Sequence, residues 1–341
     1  MRKPCNCRNC AGGQEKGRLI MHAVLEEIKK TGIIPVIKID DAAKAAPLAR
    51  ALIAGGIPCA EITFRTAQAE EAISRIHGEV PEILLGAGTV LTTEQADRAI
   101  AAGAKFVVSP GFNPRVVSHC IEKGIPITPG CCTPTDIERA LELGLEAVKF
   151  FPAEQAGGLE YIKAVAAPYT NISFIPTGGI NAHNIVKYIT FDKVIACGGS
   201  WMAGADLINA GEFDKITALC REAIFNLLGF GLAHVGINAE NEKATVKIAD
   251  RFSALFGFQN KAGVSSIFSS DCIEIIKSSS IGKNGRIAIG TNSVFRAMAY
   301  LERQGVEFNK EGVKTDANGN VTSVFFREEI GGFAIHLVQN K

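Results

Sequence analysis

From Gly32 to about Leu228 the sequence alternates between short apolar runs and longer amphipathic, alanine-rich runs, which restricts the chain to a few α/β architectures. The strand candidates are Ile33–Ile39, Cys59–Arg65, Ile83–Val90, Lys105–Pro110, Pro126–Gly130, Glu146–Pro152, Ser173–Gly178 and Lys193–Gly199. Between them lie helical stretches such as Ala42–Ala54, Thr93–Ala102, Pro114–Lys123 and Asp136–Leu143, several of which stop at a glycine: Gly55, Gly103, Gly124, Gly144. An open doubly wound sheet would also alternate. Eight evenly spaced strand–helix pairs in about 200 residues favour closure into a (β/α)8 TIM barrel, with a helix at Met21–Thr31 capping its base.

The pattern changes after Gly229-Phe230-Gly231. A strand (Ala233–Asn238) leads to a helix (Thr245–Phe256) and to strands Val264–Ser269 and Cys272–Lys277. The order then repeats with strand Arg286–Gly290, helix Val294–Gln304 and strands Val306–Asn309, Val321–Arg327 and Phe333–Val338. Two such stretches read as an α+β domain of paired βαβββ units. The expected organisation is an extension at 1–20, a barrel at 21–229 and a second domain at 232–341, the two domains docked because the join is short.

The 341 residues are 47% hydrophobic, so both cores can be filled; 36 basic residues nearly cancel 35 acidic ones, which argues against a nucleic-acid partner and for a small-molecule substrate. No apolar stretch is long enough for a membrane span and the N-terminus lacks a secretory h-region, so the expected location is cytoplasmic and the ten cysteines are expected to be thiols. Cys59, Cys120, Cys197, Cys220 and Cys272 read as small core hydrophobes. Cys5, Cys7 and Cys10 lack a nearby fourth ligand, so no metal is assigned to them. Residues 1–20 are polar and unpatterned, and Met21 is read as the translation start.

Strand side chains alternate between faces. In the second strand Cys59, Glu61, Thr63 and Arg65 share one face while Ala60, Ile62 and Phe64 share the other. In the sixth, Ala147, Lys149 and Phe151 oppose Val148 and Phe150. The apolar sets belong against the helices, so Glu61, Arg65 and Lys149 are expected to point into the barrel. Barrel interiors are normally apolar, and three buried charges are costly without a purpose. One reading is a structural Glu61–Lys149 ion pair with Arg65 at the rim. The other is catalytic: a desolvated lysine near a second cation becomes a free amine able to attack a ketone, Glu61 moves protons and Arg65 clamps a carboxylate. Thr177-Gly178-Gly179 and Gly198-Gly199-Ser200 end the seventh and eighth strands, where barrels recurrently bind phosphate through backbone amides.

Together with Gly32-Ile33-Ile34-Pro35-Val36-Ile37, Gly86-Ala87-Gly88-Thr89-Val90, Ser109-Pro110-Gly111 and Lys149-Phe150-Phe151-Pro152-Ala153-Glu154, these segments resemble the 2-dehydro-3-deoxy-phosphogluconate / 4-hydroxy-2-oxoglutarate aldolases over about Met21 to Leu228. The resemblance implies that Lys149 is the Schiff-base lysine and Glu61 the proton-transfer residue. It implies that Arg65 and Thr89 hold the pyruvyl carboxylate, that Pro110 and Phe151 wall the pocket, and that Thr177, Gly178, Gly179, Gly198, Gly199 and Ser200 belong to the substrate-binding loops, with the phosphate at their glycines and Ser200. It further implies cleavage to pyruvate and glyceraldehyde 3-phosphate, no cofactor and a homotrimer.

From about Leu232 to Lys341 the paired units resemble the glyoxalase / vicinal-oxygen-chelate superfamily, whose metal-ligand positions fall here on His234, Glu274, Arg286 and His336. Arg286 cannot be a ligand. His234, Glu274 and His336 remain a conceivable two-His-one-carboxylate set, but a non-catalytic domain without metal is the preferred reading. Rival readings of the whole chain are a sugar-phosphate isomerase or epimerase, an aldolase-like sensor of a phosphorylated sugar acid with the second domain as its output, and a second, metal-dependent activity in that domain.

Overall fold

A computed structural model describes residues 23–278 and 281–340, so the Cys5, Cys7 and Cys10 cluster and the choice between Met1 and Met21 lie outside the described residues. The chain divides into two compact units, the first ending at Leu227 and the second beginning at Leu228.

The first unit is helical over residues 23–31 (α1) and then runs through eight parallel strands. These are β1 (Ile33–Ile37), β2 (Cys59–Thr63), β3 (Leu84–Gly88), β4 (Phe106–Val108), β5 (Ile127–Thr128), β6 (Ala147–Phe150), β7 (Ser173–Pro176) and β8 (Cys197–Gly199). Helices α2 (Ala45–Ala54), α3 (Ala69–Glu79), α4 (Thr93–Ala101), α5 (Pro114–Glu122), α6 (Pro134–Glu142), α7 (Gly158–Ala166) and α8 (Ile185–Ile189) connect them, and α9 (Ala205–Ala210) and α10 (Phe213–Leu228) follow. Strands pair in the order β5-β4-β3-β2-β1-β8, with β6-β7 as a separate pair. Single bridges between Gly130 and Lys149, and between Thr177 and Gly198, join that pair to β5 and β8 and complete the ring.

Local chemistry starts the helices where they are needed. Thr92 caps α4, Asn113 caps α5 ahead of Pro114, and Thr133 with Asp136 forms a capping box on α6. Each cap satisfies amides that the first helical turn leaves open, so each helix begins just after a strand end and returns the chain to the base. There Leu25 and Ile28 of α1 pack with Ile34, Cys59, Phe106, Ala147, Ile175 and Ala196, closing the lower barrel with apolar side chains. The C-terminal strand ends are left to the loops. Strand eight is shorter than the expected Lys193–Gly199, because residues 193–196 form no ladder of their own.

The second unit has one eight-stranded sheet in the order β10-β11-β12-β9-β13-β16-β15-β14. Its elements are β9 (Gly231–Asn238), α11 (Glu242–Phe256), β10 (Asn260–Ala262), β11 (Ser266–Ser269) and β12 (Ile273–Ile276), then β13 (Arg286–Thr291), α12 (Val294–Arg303), β14 (Lys314–Thr315), β15 (Val321–Ile330) and β16 (Phe333–Gln339). The two βαβββ sets meet where β9 pairs antiparallel with β13. Two expectations need correction. The strand β10 was absent from the sequence reading, and the expected strand at Val306–Asn309 is no ladder: only Phe308 bridges, to Phe326, and the edge strand is Lys314–Thr315.

Among the described residues no helix is long and apolar enough to cross a membrane. All seven described cysteines are free thiols. Cys272 is exposed rather than a core residue, while Cys59, Cys120, Cys197 and Cys220 are buried.

Candidate active site

Strand β6 is buried along its whole length. Val148 and Phe150 face the helix layer, where Phe150 meets Tyr161 of α7 at 5.8 Å between ring centroids. Lys149 takes the opposite face. Its backbone is fixed on both sides, the amide donating to Pro129 O at 2.9 Å and the carbonyl accepting from Cys131 N at 2.8 Å. Its Nζ lies 3.5 Å from Glu61 Oε1 on β2, and the two residues are 6% and 2% exposed. Glu61 fits only because position 88 has no side chain: a Cβ on Gly88 would stand 2.0 Å from Glu61 Oε1. Thr63, on the same face as Glu61, is tied to Ile37 O at 2.8 Å and is fully buried.

β2 ends at Thr63, and Arg65 lies in the turn that follows it, exposed at the C-terminal end of the strand. Lys149 has a carboxylate as its ion-pair partner. Phe151 is likewise beyond β6; it is 38% exposed, and its ring centroid is 5.4 Å from Lys149 Nζ. Pro110 is half-buried just past β4. Thr89 directly follows β3 with φ at +57°, a left-handed conformation that a β-branched residue adopts at a cost of about 1–3 kcal/mol. Strain of this kind persists only where surrounding structure imposes it.

After β7, Thr177 is buried and Gly178 and Gly179 turn with φ of +97° and +81°, values closed to most side chains. Their carbonyls are tied back: Gly178 O accepts from Glu154 N at 3.1 Å, and Gly179 O from Asn181 Nδ2 and Asn184 Nδ2 at 3.2 and 3.0 Å. Gly198 and Gly199 are buried in β8, bridged to β7 through Thr177, and Ser200 is exposed at its end. Among the described residues the amides of Gly179 and Ser200 have no hydrogen bond to a protein acceptor, while that of Gly178 faces Gly198 in the bridge between the two loops. A pair of loops with free amides beside each other is chemically suited to an anion.

The sequence reading assigned nothing to three residues that shape this region. Gly88 makes room for Glu61. Glu154 accepts a hydrogen bond from the Tyr188 hydroxyl. The Cys132 thiol donates to Phe151 O at 2.7 Å, and burial pushes its pKa up. Gly88 and Glu154 lay inside quoted segments, but neither backbone clearance nor a partner 34 positions away has a local sequence signal.

In the second unit, His234, Glu274, Arg286 and His336 occupy four adjacent strands, β9, β12, β13 and β16, on the sheet face opposite the core formed by Ala239, Ala249, Ile267 and Ile275. Arg286 crosses β9 over Gly236, where a Cβ would stand 2.5 Å from its Cγ, to reach Glu274 Oε2 at 2.9 Å through Nε and 2.5 Å through a terminal nitrogen. His234 Nε2 lies 3.4 Å from the same oxygen, and Ser266 donates to Oε1 at 2.7 Å. Burial raises the Glu274 pKa, but the bonds from His234, Arg286 and Ser266 outweigh it and hold the group at about 2. His336 stacks on Phe325 at 4.5 Å, and its Nδ1 has no partner among the described residues. Burial, with His234 and Arg286 nearby, lowers its pKa to about 3. Among the described residues no three His, Cys, Asp or Glu side chains are grouped to hold a metal ion.

Comparison with known proteins agrees with the barrel half. The family described as KDPG and KHG aldolase matches residues 24–219. A 2-dehydro-3-deoxy-phosphogluconate aldolase of Treponema pallidum is 54% identical over 204 residues, 60% of this chain and 97% of that one. The KHG/KDPG aldolase of Escherichia coli K12 is 42% identical over 200 residues, 58% of this chain and 94% of its own. Among solved structures, the KDPG aldolase of Legionella pneumophila, with pyruvate captured as a covalent carbinolamine, is similar with a TM-score of 0.57 and 36% identity, covering 59% of this chain and 97% of that one. The Zymomonas mobilis enzyme with 3-phosphoglycerate gives 0.55 and 40%, covering 60% and 95%. A match across more than half of the chain, on a closed barrel of eight parallel strands, shows that the protein belongs to the KDPG and KHG aldolase family.

Proposed function

We propose that the first unit cleaves 2-dehydro-3-deoxy-6-phosphogluconate to pyruvate and glyceraldehyde 3-phosphate through a Schiff base on Lys149, and that it also cleaves 4-hydroxy-2-oxoglutarate to pyruvate and glyoxylate. The observation that carries this is the buried Lys149–Glu61 pair. A lysine beside a carboxylate can pass its proton across and attack a ketone as the free amine. Nζ adds to C2, the carbinolamine loses water, and the resulting iminium becomes the electron sink. Glu61, directly or through a water, accepts the proton of the C4 hydroxyl; the C3–C4 bond breaks, its electrons pass into an enamine, and the aldehyde leaves. Protonation of the enamine at C3 and hydrolysis of the iminium release pyruvate and return the amine.

In this reading Arg65 and Thr89 hold the pyruvyl carboxylate. Pro110 and Phe151 line the pocket. Gly178, Gly179, Gly199 and Ser200 cradle the phosphate, supported by the free amides of the two loops and by Thr177 and Gly198, which join β7 to β8. Borohydride reduction with pyruvate, followed by mass spectrometry, should place a reduced pyruvyl adduct on Lys149 alone. Labelling elsewhere, or none, would remove the central claim. A homotrimer in the cytoplasm goes with this reading, on the family resemblance and on the free thiols, and light scattering of the full chain checks the assembly.

For the second unit we infer a relative of the glyoxalase / vicinal-oxygen-chelate superfamily in which His234, Glu274 and His336 are a structural polar row. The support is the two βαβββ sets and the commitment of Glu274 to Arg286. Metal analysis of protein purified without chelator tests it. One equivalent of iron, manganese or zinc, lost in His234→Ala and His336→Ala, would make this half a second active site.

A further inference from the structure

The reaction above does not use the buried contact between Tyr188 and Glu154. Tyr188, on α8, is fully buried, and its hydroxyl donates to Glu154 Oε1. A phenol at this depth needs a partner, and burial together with the facing carboxylate raises its pKa, which keeps it a donor.

Glu154 in turn supports the turn after β7. Its amide donates to Gly178 O at 3.1 Å, and the preceding Ala153 amide donates to Thr177 O at 2.8 Å. Its side chain lies directly under Gly179, where an added Cβ would stand 2.7 Å from both Glu154 Cβ and Cγ. Asn181 and Asn184 hold the next carbonyl. The carbonyls of Gly178 and Gly179 are thus drawn to one side, and the Gly179 amide is left for a ligand. The first of those bonds comes from the Glu154 backbone, and the side chain of the same residue, held at its far end by Tyr188, packs beneath Gly179.

We propose that Glu154, anchored by Tyr188, is a positioning residue for phosphate recognition: it holds the Gly178-Gly179 turn with the Gly179 amide presented to the substrate and so favours the phosphorylated substrate over the phosphate-free one. This rests on the reading of those loops as the phosphate cradle. The carboxylate does not touch the reacting carbons, so its loss acts on binding and not on bond cleavage.

The test compares 2-dehydro-3-deoxy-6-phosphogluconate with 4-hydroxy-2-oxoglutarate on the full-length protein. Tyr188→Phe removes the donor and keeps the ring; Glu154→Ala removes the acceptor. Each should raise KM for the phosphorylated substrate by roughly tenfold or more, the scale of a lost hydrogen bond to a charged group, with kcat unchanged. Neither should alter kcat/KM for the phosphate-free substrate or the borohydride adduct with pyruvate. Glu154→Gln keeps an acceptor oxygen and should restore KM. Equal losses on both substrates, or wild-type KM in both Tyr188→Phe and Glu154→Ala, would overturn the proposal. A wild type that gains nothing from the phosphate would instead refute the cradle itself, and Tyr188→Phe separates the two cases only if the wild type does gain.

Discussion

Lys149 Nζ and Glu61 Oε1 meet at 3.5 Å inside the barrel, one from β6 and one from β2, with both residues more than nine-tenths buried. Each charge compensates the other. Lys149→Ala should therefore abolish turnover and also destabilise the fold by on the order of 3 kcal/mol near neutral pH, because it strands an ionised Glu61. Chemical denaturation of Lys149→Ala and of a Lys149→Met, Glu61→Gln double variant checks this. The double variant should recover most of the loss, and equal stability of the two would mean that the pair is not coupled.

Glu61→Gln keeps the shape that Gly88 accommodates and removes the proton acceptor. Carbon–carbon cleavage should fall by roughly a hundredfold or more, while trapping of pyruvate on Lys149 persists at a measurable rate. Near-wild-type cleavage would reduce Glu61 to an ion-pair partner.

Ser200 is exposed at the end of β8, next to the buried Gly198 and Gly199. Ser200→Glu adds a negative charge where the phosphate is placed. Like charges in close contact repel by several kcal/mol, on the scale of roughly 332/(εr). Steady-state kinetics should show a large loss on the phosphorylated substrate and little on 4-hydroxy-2-oxoglutarate. Equal losses would mean that these loops bind something else.

The second unit should be acid-labile. His336 is held at about 3 in the fold, below its ordinary 6.5, so the unfolded chain binds the extra proton first and stability falls as pH drops below about 6.5. Glu274, held at about 2, adds a second loss below about 4.5, when the unfolded carboxyl protonates and the folded one does not. Hydrogen exchange on the full chain between pH 7.5 and 4 should show residues 228–340 losing protection as the pH falls. His336→Phe should shift that loss to lower pH. An unchanged profile in that variant would assign the lability elsewhere.

Much of this was legible in the sequence for a simple reason. Parallel strands under helices are apolar on the helix side, so Val148 and Phe150 fixed the orientation of Lys149, and Ala60 and Ile62 that of Glu61. The same rule loses its hold at Arg65, because alternation carries no information beyond the last paired residue and β2 stops at Thr63. Glycine at Gly55, Gly103, Gly124 and Gly144 marked helix ends well. The second unit was harder. Asn260–Ala262 is an exposed edge strand with no apolar pattern, and Val306–Asn309 has the pattern without the ladder. The left-handed Thr89 had no signal at all, since nothing about threonine predicts a positive φ.

The clearance at Gly88 bears on how such an enzyme can change over time. The Glu61 carboxylate, the proton carrier of the proposed reaction, borrows its volume from a neighbour that contributes no functional group. A methyl at position 88 displaces Glu61 without altering any reactive atom, so the two positions form one inherited unit: the acid can be exchanged for a longer or shorter one only while its neighbour stays bare. A mutational map that scores side chains by their chemistry would pass over position 88, and one that scores tolerance would register it through the displacement of Glu61.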